Sequence, residues 1–465
     1  MSKFNLNDIN TIARLWDLDT SNTIVIDPDC LFISQAKIPN YEVTSSKELN
    51  KITLTENHTL IVSTDAKEIY PTGQIPVICF NKTKDKNKND QSFYIITNKD
   101  HSIRWMIPTE VIHPFFLNFY NSPTLLSKVY KIVFEIIYLT KLQRLFFDRV
   151  TVICGNTLKK YVPESLSYDS ITLFTGTAGE NRKIILCLIQ NKKPVHFVKI
   201  AVNQSSGKNV QNEKNILKSL SLREFKTFEH PEISDSIQAN TIIISNIKPD
   251  KIIKESSYGV KHTRVISELA KSYSRKQLIG NLTIYKEIIT YIETLKKAEF
   301  SDNGLDNKTV MRSVSRIEDI IASIKPDLHL TTSISHGDFT PWNMFVGLEK
   351  LHIYDWELAR EDVPILFDYF HFVYQSNILS GNNNIDTITQ TLLETSKCHE
   401  MADLVASLNI NYDLVHALYL CHTVSYYLSL YTKQIPLHQQ AHWLLATWDL
   451  ALGRVNIPAE GQYDT

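Results

Sequence analysis

The stretch of sequence that indicates the fold is Ile334-Ser-His-Gly-Asp-Phe-Thr-Pro-Trp-Asn-Met-Phe-Val346, followed by Leu351-His-Ile-Tyr-Asp-Trp-Glu357. It presents Asp338, then Asn343, and then Asp355 at the end of a short apolar run. A proline inside the first segment favours an irregular loop over a helix. Magnesium-dependent phosphoryl transfer needs one carboxylate to accept the proton of an acceptor hydroxyl, and an amide oxygen and a second carboxylate to hold the cation.

This pattern resembles the aminoglycoside phosphotransferase and choline kinase-like group, which shares its fold with protein kinases. The match is His-Gly-Asp-x-x-x-x-Asn, present as His336, Gly337, Asp338 and Asn343, followed by the apolar-Asp-Trp-Glu segment around Asp355. By this resemblance, Asp338 is the catalytic base, and Asn343 and Asp355 are ligands of Mg²⁺. The same resemblance makes His336 a brace for the catalytic loop.

Two further acidic residues follow the motif. Glu357 is similar to an acid that follows the metal-binding Asp in the choline kinase-like subgroup, and it could contact either the metal shell or a substrate. The segment Val363–Asp368 resembles the one in which a structural Asp anchors the catalytic loop from below. We therefore expect Asp368 to be a buried hydrogen-bonding residue without a chemical role of its own.

Upstream, the pattern predicts three consecutive strands and a small antiparallel sheet over Ser170–Thr175, Lys183–Gln190 and Val195–Val202. Lys199 is a lone cation inside the third of these apolar runs, which is costly unless it meets an anion. Glu213, on the next predicted helix, is the natural partner for a pair that grips the α and β phosphates of ATP. The alternatives are a satisfied strand-edge lysine and a solvent-facing acid.

Other parts of this region could complete an ATP site. Gly176 and Gly179 would let the turn between the first two strands approach phosphates with its backbone N–H groups. The backbone from Ser245 to Ile247, just after a predicted strand at Thr241–Ser245, would hydrogen-bond the adenine edge. The glycine loop lacks a full G-x-G-x-x-G pattern and is weak evidence alone.

The first 149 residues alternate short strand-like runs with helical ones, which predicts a separate α/β domain of unknown role. The predicted strands are Thr23–Ile26, Thr59–Ser63, Pro76–Phe80 and Phe93–Thr97. The domain ends in a predicted amphipathic helix at Ser127–Arg149, in which basic residues separate the apolar ones. We expect this helix to pack against a neighbouring domain, and contact with a membrane surface is the less common alternative. The apolar residues are Val129, Ile132, Val133, Ile136, Leu139, Leu142, Leu145 and Phe146.

Composition and charge argue against several classes of function. The chain has 465 residues and a formal net charge of −1, which argues against a global nucleic-acid or anionic-membrane binder. The six cysteines show no zinc-like spacing, and no run approaches the ~18 apolar residues of a spanning helix. The N-terminus lacks the apolar stretch of a signal peptide. We therefore expect a cytoplasmic protein with reduced thiols.

The predicted fold class is α+β. We expect a bilobal protein kinase-like fold, with an antiparallel-sheet lobe at 165–246 and a mainly helical lobe at 247–465, behind the additional domain at 1–149. Helical patterns predominate over Val260–Phe300, Arg312–Ile324, Thr387–Leu408 and Tyr412–Leu452.

The expected activity is transfer of the γ-phosphate of ATP, with Mg²⁺, to a hydroxyl of a small molecule such as a sugar, an amino alcohol or an aminoglycoside-like acceptor. Two alternatives stay open: a pseudokinase or regulatory binding module, and a kinase-fold enzyme that transfers AMP. Intact Asp338, Asn343 and Asp355 speak against the first, since a non-catalytic fold has no physical need for all three. The sequence leaves open the acceptor, ATP against GTP as donor, and the oligomeric state.

Overall fold

The computed structural model describes residues 4–18, 23–27, 32–33, 41–44, 58–63, 75–80, 91–98, 100–118, 125–154, 157–176, 179, 181–298, 305–380, 384–432, 437 and 439–455. Within these residues the strands are β1 (Phe4–Asn5), β2 (Thr23–Ile26), β3 (Phe32–Ile33), β4 (Tyr41–Thr44), β5 (Thr59–Val62), β6 (Val77–Phe80), β7 (Gln91–Thr97), β8 (Ile103–Pro108), β9 (Asp148–Ile153), β10 (Ser170–Phe174), β11 (Lys183–Gln190), β12 (Lys193–Ala201), β13 (Phe228–Glu229), β14 (Ile233–Ser234), β15 (Thr241–Ser245), β16 (Arg275–Leu278), β17 (His329–Ser335), β18 (Met344–Val346), β19 (Leu351–Ile353) and β20 (Arg360–Pro364).

The α-helices of the same residues are α1 (Leu6–Ala13), α2 (Leu125–Leu139), α3 (Gln143–Phe146), α4 (Gln204–Leu220), α5 (Val260–Tyr273), α6 (Thr283–Lys297), α7 (Asn307–Ser323), α8 (Phe367–Leu379), α9 (Ile385–Ser396), α10 (His399–Ser407), α11 (Tyr412–Tyr431) and α12 (Gln439–Leu452). No helix among the described residues has the length and apolar character needed to cross a bilayer.

The chain forms two compact units. The first comprises Met1–Lys214 and Glu232–Asn246, and the second Asn215–Pro231 and Ile247–Thr465.

The first unit is built on one twelve-stranded sheet with the order β14-β15-β12-β11-β10-β8-β7-β9-β6-β5-β2-β4. The pairs β2–β4, β2–β5 and β5–β6 are parallel, and the ladders from β6–β9 through β14 are antiparallel. The strands predicted from the sequence in this region are confirmed, with end shifts of one or two residues. Most are short runs of β-branched and aromatic residues, which fit a buried pleated surface.

The antiparallel strands predicted as a small separate sheet continue into the sheet of the N-terminal region. The link is the β8–β10 ladder, where Leu173 pairs with Met106 and Phe174 with Trp105. Buried apolar residues of the shared sheet and its flanking segments form one core, with members between Phe4 and Ile243 in the sequence. The domain limits drawn from the sequence, 1–149 and 165–246, stay a prediction. The boundary between these two predicted domains separates strands that share this sheet and this core.

The predicted helix at Ser127–Arg149 differs from the structure in two ways. Helix α2 ends at Leu139, a left-handed residue at Lys141 (φ 57°) turns the chain, and α3 and β9 follow. The apolar residues that we expected to pack are exposed, whereas Phe134, Ile137 and Tyr138 on the opposite face are buried. The face of the helix that we expected to pack against a neighbouring domain is therefore the face exposed to solvent.

The second unit is mainly helical around one large core. Helices α8 and α11 are apolar on nearly all sides, which is typical of helices buried within a core. The predicted helical pattern over 260–300 is interrupted by β16, because this segment pairs with β17 in the three-stranded sheet β16-β17-β20. A second small sheet, β13-β19-β18, carries the hairpin between Asn343 and Asp355.

Free thiols fit the expectation from the sequence. Cys79, Cys187 and Cys421 are buried, Cys154 is half-buried, and Cys398 is exposed, with all five unpaired by disulfides. Burial raises the pKa of Cys187 to about 12, so this thiol stays protonated at neutral pH. Cys30 lies outside the described residues.

Candidate active site

The loop at residues 336–343, here called the Asp338 loop, connects β17 to β18 in the second unit. Gly337 adopts a left-handed backbone (φ 81°), and a Cβ at this position would lie 2.3 Å from the carbonyl oxygen of Leu358. Only glycine fits there, because a side chain would meet backbone that cannot yield. Pro341 then begins a short 3₁₀ turn that ends at Asn343.

Asp338 is held by donors on both carboxylate oxygens. The Nδ2 group of Asn343 donates to Oδ2 of Asp338 at 2.8 Å and to its backbone oxygen at 3.0 Å. The Nε2 atom of His371 lies 3.2 Å from Oδ1, and Thr340 Oγ1 is 3.3 Å from the same oxygen. The side chain keeps 32% of its surface exposed, so an incoming hydroxyl can reach it.

The charge state of Asp338 follows from these partners. Burial alone would raise the pKa of this carboxyl. The hydrogen bond and charge of His371, together with the Asn343 amide, lower the pKa below its ordinary value. Asp338 is therefore ionised at neutral pH, which is the state in which a carboxylate can accept a proton.

His336 is fully buried and links two parts of the site. Its Nδ1 accepts from the backbone N–H of Asp338 at 3.2 Å, and its Nε2 donates to the carbonyl of Tyr354 at 2.7 Å. Accepting at Nδ1 and donating at Nε2 define a neutral imidazole. Since Tyr354 immediately precedes Asp355, His336 ties the Asp338 loop to the segment that carries the second acid.

Asp368 lies beneath the loop, as predicted. It is buried at the start of α8 and accepts from Ser335 Oγ at 2.7 Å, from the N–H of His336 at 2.7 Å and from the N–H of Gly337 at 3.1 Å. These three donors, two of them backbone N–H groups of the loop, indicate a structural role for this carboxylate. The expectation of a hydrogen-bonding post is confirmed.

Asp355 follows β19 in a left-handed conformation (φ 64°), which is uncommon for a residue other than glycine and is found frequently at functional positions. The backbone N–H of Tyr354 donates to the carbonyl of Asn343 at 2.8 Å, so the two predicted metal ligands lie on directly hydrogen-bonded segments. Glu357, half-buried, lies in the 3₁₀ turn Trp356–Leu358 that follows.

In the first unit, Lys199 and Glu213 form the predicted pair. The Nζ atom of Lys199 lies 2.7 and 2.8 Å from the two carboxylate oxygens of Glu213, and both residues are buried. This geometry rules out the two alternatives considered above, in which Glu213 faces solvent and Lys199 lies at the edge of a strand. Gly176 is left-handed (φ 73°), and a Cβ there would lie 2.3 Å from the carbonyl of Lys183. Gly179 also has positive φ, at 151°, with open space around its Cα.

The backbone predicted to meet adenine already makes hydrogen bonds. The N–H of Ser245 donates to Glu232 O at 2.9 Å, and the N–H of Asn246 donates to Val195 O at 2.8 Å. In the second unit, the N–H of Ile247 donates to the hydroxyl of Tyr354 at 2.8 Å. A contact between adenine and the N–H of Ser245 or Ile247 therefore stays a prediction. That N–H would have to give up its present hydrogen bond in order to donate to adenine.

His371 is the site residue that sequence reasoning missed. It lies on α8 one turn after Asp368, is 8% exposed, and touches the carboxylate of Asp338. The spacing of three residues from a predicted structural Asp was the available signal, because residues three apart on a helix share a face.

Comparison with known proteins gives structural neighbours only. No family model matches the chain, and no curated protein does either. A choline/ethanolamine kinase family protein from Mesorhizobium loti is similar at 12% identity, with 64% of this chain and 90% of that chain covered and a TM-score of 0.37. An ethanolamine kinase from Plasmodium vivax is similar at 11% identity, with 62% and 84% covered and a TM-score of 0.41.

A thermostable mutant of an aminoglycoside phosphotransferase is similar at 12% identity, with 62% of this chain and 95% of that chain covered and a TM-score of 0.41. These neighbours are small-molecule kinases and phosphotransferases of the group that the loop motif resembles.

Proposed function

We propose that the protein is an ATP- and Mg²⁺-dependent phosphotransferase that moves the γ-phosphate to a hydroxyl group of a small molecule. The observation that carries the proposal is the pairing of Asp338 with Asn343, on a loop that His336 connects to the Asp355 segment. An ionised carboxylate beside an amide and a second acid is the set of groups that phosphoryl transfer requires.

Asp338 acts as the base in this proposal. Its carboxylate accepts the proton of the acceptor hydroxyl while the hydroxyl oxygen attacks the γ-phosphorus and the bond to the β-phosphate oxygen breaks. Because its pKa is lowered, Asp338 is ionised when the acceptor hydroxyl arrives, so the carboxylate can both orient this hydroxyl and accept its proton. Asn343 and His371 hold the carboxylate in place for this task.

The side chains also fit a magnesium ion. The Nδ2 group of Asn343 is used by Asp338, which leaves its amide oxygen as the atom that can coordinate a cation. With a carboxylate oxygen of Asp355 this gives two hard oxygen donors, the type that Mg²⁺ prefers. When bound, the ion would neutralise charge that develops on the phosphate oxygens.

Lys199 would bind phosphate oxygens of the nucleotide. Glu213 fixes the ammonium group through two short contacts, so the lysine loses little freedom on binding an anion. Backbone N–H groups near Gly176 and Gly179 would add further donors to phosphate.

The experiment uses γ-labelled and, separately, α-labelled ATP with Mg²⁺ and a library of small hydroxyl compounds. Label from the γ position is expected on a small molecule, and label from the α position is expected to stay in nucleotide. Transfer of the α label alone would establish AMP transfer instead. Failure of either label to leave the nucleotide with any library member, despite measurable ATP binding, would favour a regulatory module.

A further inference from the structure

Helices α2 and α3 present an unusual apolar surface to solvent. The α2–α3 surface is defined by Val129, Ile132, Val133, Ile136, Leu139, Leu142, Leu145 and Phe146, all of which are exposed. Leu139 is 64% exposed and Leu145 78%. The residues of α2 recur at three- and four-residue steps, so they form one face rather than scattered single positions.

The helix is fixed by its other face. Phe134 packs on Phe147 with ring centroids 4.9 Å apart and on Tyr138 at 6.0 Å, and both Phe134 and Tyr138 are buried. The amide of Gln143, buried in α3, donates to the carbonyl of Tyr138 at 3.2 Å. The apolar surface is therefore presented by an anchored element, and both of its faces carry large apolar residues.

The charges around this surface are predominantly positive. Lys128, Lys131, Lys141 and Arg144 lie in the same stretch, and Glu135 is its single acid, so residues 125–147 carry a net charge of +3. Lys128, Lys141 and Arg144 are exposed. The local excess contrasts with a net charge of −1 for the whole chain. Exposed aliphatic side chains interleaved with basic ones are typical of helices that lie in the interface of an anionic bilayer.

We propose that the α2–α3 surface docks on a membrane containing anionic phospholipids. The apolar side chains would enter the boundary between headgroups and acyl chains, while the lysine and arginine stems extend to the phosphate groups. A symmetric contact between two copies is disfavoured, because it would bring two surfaces of charge +3 together. The strongly protruding side chains also suit a deformable lipid layer better than a protein groove, which would need to match their shape. This inference is independent of the phosphotransfer proposal.

The test is flotation of the full-length chain with vesicles of phosphatidylcholine alone and of an equimolar mixture of phosphatidylcholine and phosphatidylglycerol. Binding to the mixed vesicles is expected, with little binding to phosphatidylcholine alone and release as salt is raised. Wild-type protein that stays unbound with the anionic vesicles at low salt would overturn the proposal.

Two variants locate the contact. Leu139→Ser with Leu145→Ser removes apolar area and is expected to weaken vesicle binding roughly tenfold or more. Replacing Lys128, Lys131, Lys141 and Arg144 by Gln is expected to weaken it roughly a hundredfold. All the replaced side chains are exposed except the half-buried Lys131, and unchanged thermal unfolding would show that the fold is intact.

Leu222→Ser is the matched control, because Leu222 is 85% exposed in the other unit and the chemical change is the same. It is expected to bind vesicles as the wild type does. Equal binding by the wild type and both surface variants would overturn the proposal. So would a wild-type dimer in vesicle-free solution that Leu139→Ser with Leu145→Ser converts to a monomer, since the surface would then join two copies.

Discussion

Lys199 in the first unit and Asp338 in the second are both charged, but they are surrounded differently. Lys199 is buried and meets both oxygens of Glu213, so its charge is matched by a full opposite charge. Asp338 keeps 32% of its side chain exposed and is held by an amide, a hydroxyl and an imidazole. The first arrangement fixes a cation in place, whereas the second keeps an anion accessible to a reacting group.

This comparison distinguishes residues that hold other groups in position from residues that take part in the reaction. Removing a group that only holds should cost stability or ligand affinity, whereas removing a group that reacts should cost turnover with the fold intact. Substitutions at the two sites can therefore tell the two roles apart.

Replacing Asp338 by Asn should abolish most turnover. The change keeps the shape but removes the proton acceptor, and general base catalysis contributes about 10² to 10⁴-fold. We expect kcat for γ-phosphate transfer to fall by that range, with ATP affinity and the unfolding midpoint near those of the wild type. The matched control is Asp327→Asn, at an exposed position outside the site, which should leave kcat unchanged. A near-wild-type rate for Asp338→Asn would remove the base from the mechanism.

Breaking the Lys199–Glu213 pair should act first on stability. Either Lys199→Met or Glu213→Leu leaves one buried charge without its partner, which costs roughly 3–5 kcal/mol. The double variant removes both charges, so its free energy of unfolding in urea should recover most of that loss. It should still bind ATP at least about tenfold more weakly. Recovery of ATP affinity together with stability would show that the pair has a structural role only.

Removing the donor at His371 should have a smaller effect. His371→Phe deletes one hydrogen bond to a charged carboxylate, worth roughly 1.5–3 kcal/mol, and we expect kcat to fall by about tenfold or more with little change in KM for ATP. Loss of this donor should raise the pKa of Asp338, so the acid limb of the rate profile should move to higher pH.

His371→Gln provides the control for that prediction, because its amide can also donate to Asp338. It should recover part of the rate and shift the acid limb less. Equal losses in the Phe and Gln variants, with unshifted profiles, would mean that His371 only fills space.

Glu287 contacts both Arg360 and His422 in a partly exposed charged cluster. Burial alone would raise its pKa, but hydrogen bonds from Arg360 and His422 lower it to about 2. Since the unfolded value is about 4.3, this stabilisation is complete above that pH and is lost as the pH falls toward 2. Urea unfolding should show a difference of roughly 1–2 kcal/mol between wild type and Glu287→Gln at pH 7. A difference that stays constant down to acid pH would contradict the assigned cause.

The sequence was most informative where one residue type is required. The His-Gly-Asp motif was identified by its resemblance to a family, whereas the strand lysine and its helical glutamate follow from the cost of burying a lone charge. The structure pairs Lys199 with Glu213 as expected. The contribution of His371 depends on how α8 lies against the loop, which spacing along the chain does not specify.

The α2 helix illustrates the opposite case. Its apolar periodicity correctly predicted a helix, but periodicity does not say which face is buried when both faces are apolar. The face with Phe134, Ile137 and Tyr138 is buried, and the face with Val129, Ile132, Val133, Ile136 and Leu139 is exposed. Strand β16 lies in a segment that we predicted to be helical. Its pairing with β17 outweighs the local helical preference.

The decisive measurement for the cation site is the affinity of the ATP-loaded protein for Mn²⁺, used as a spectroscopic substitute for Mg²⁺, in the wild type and in Asp355→Asn. If Asp355 and Asn343 hold the cation beside Asp338, Asp355→Asn should bind Mn²⁺ at least about tenfold more weakly, while Asp327→Asn binds as the wild type does. Equal affinities in all three proteins would contradict a metal-dependent site at these residues.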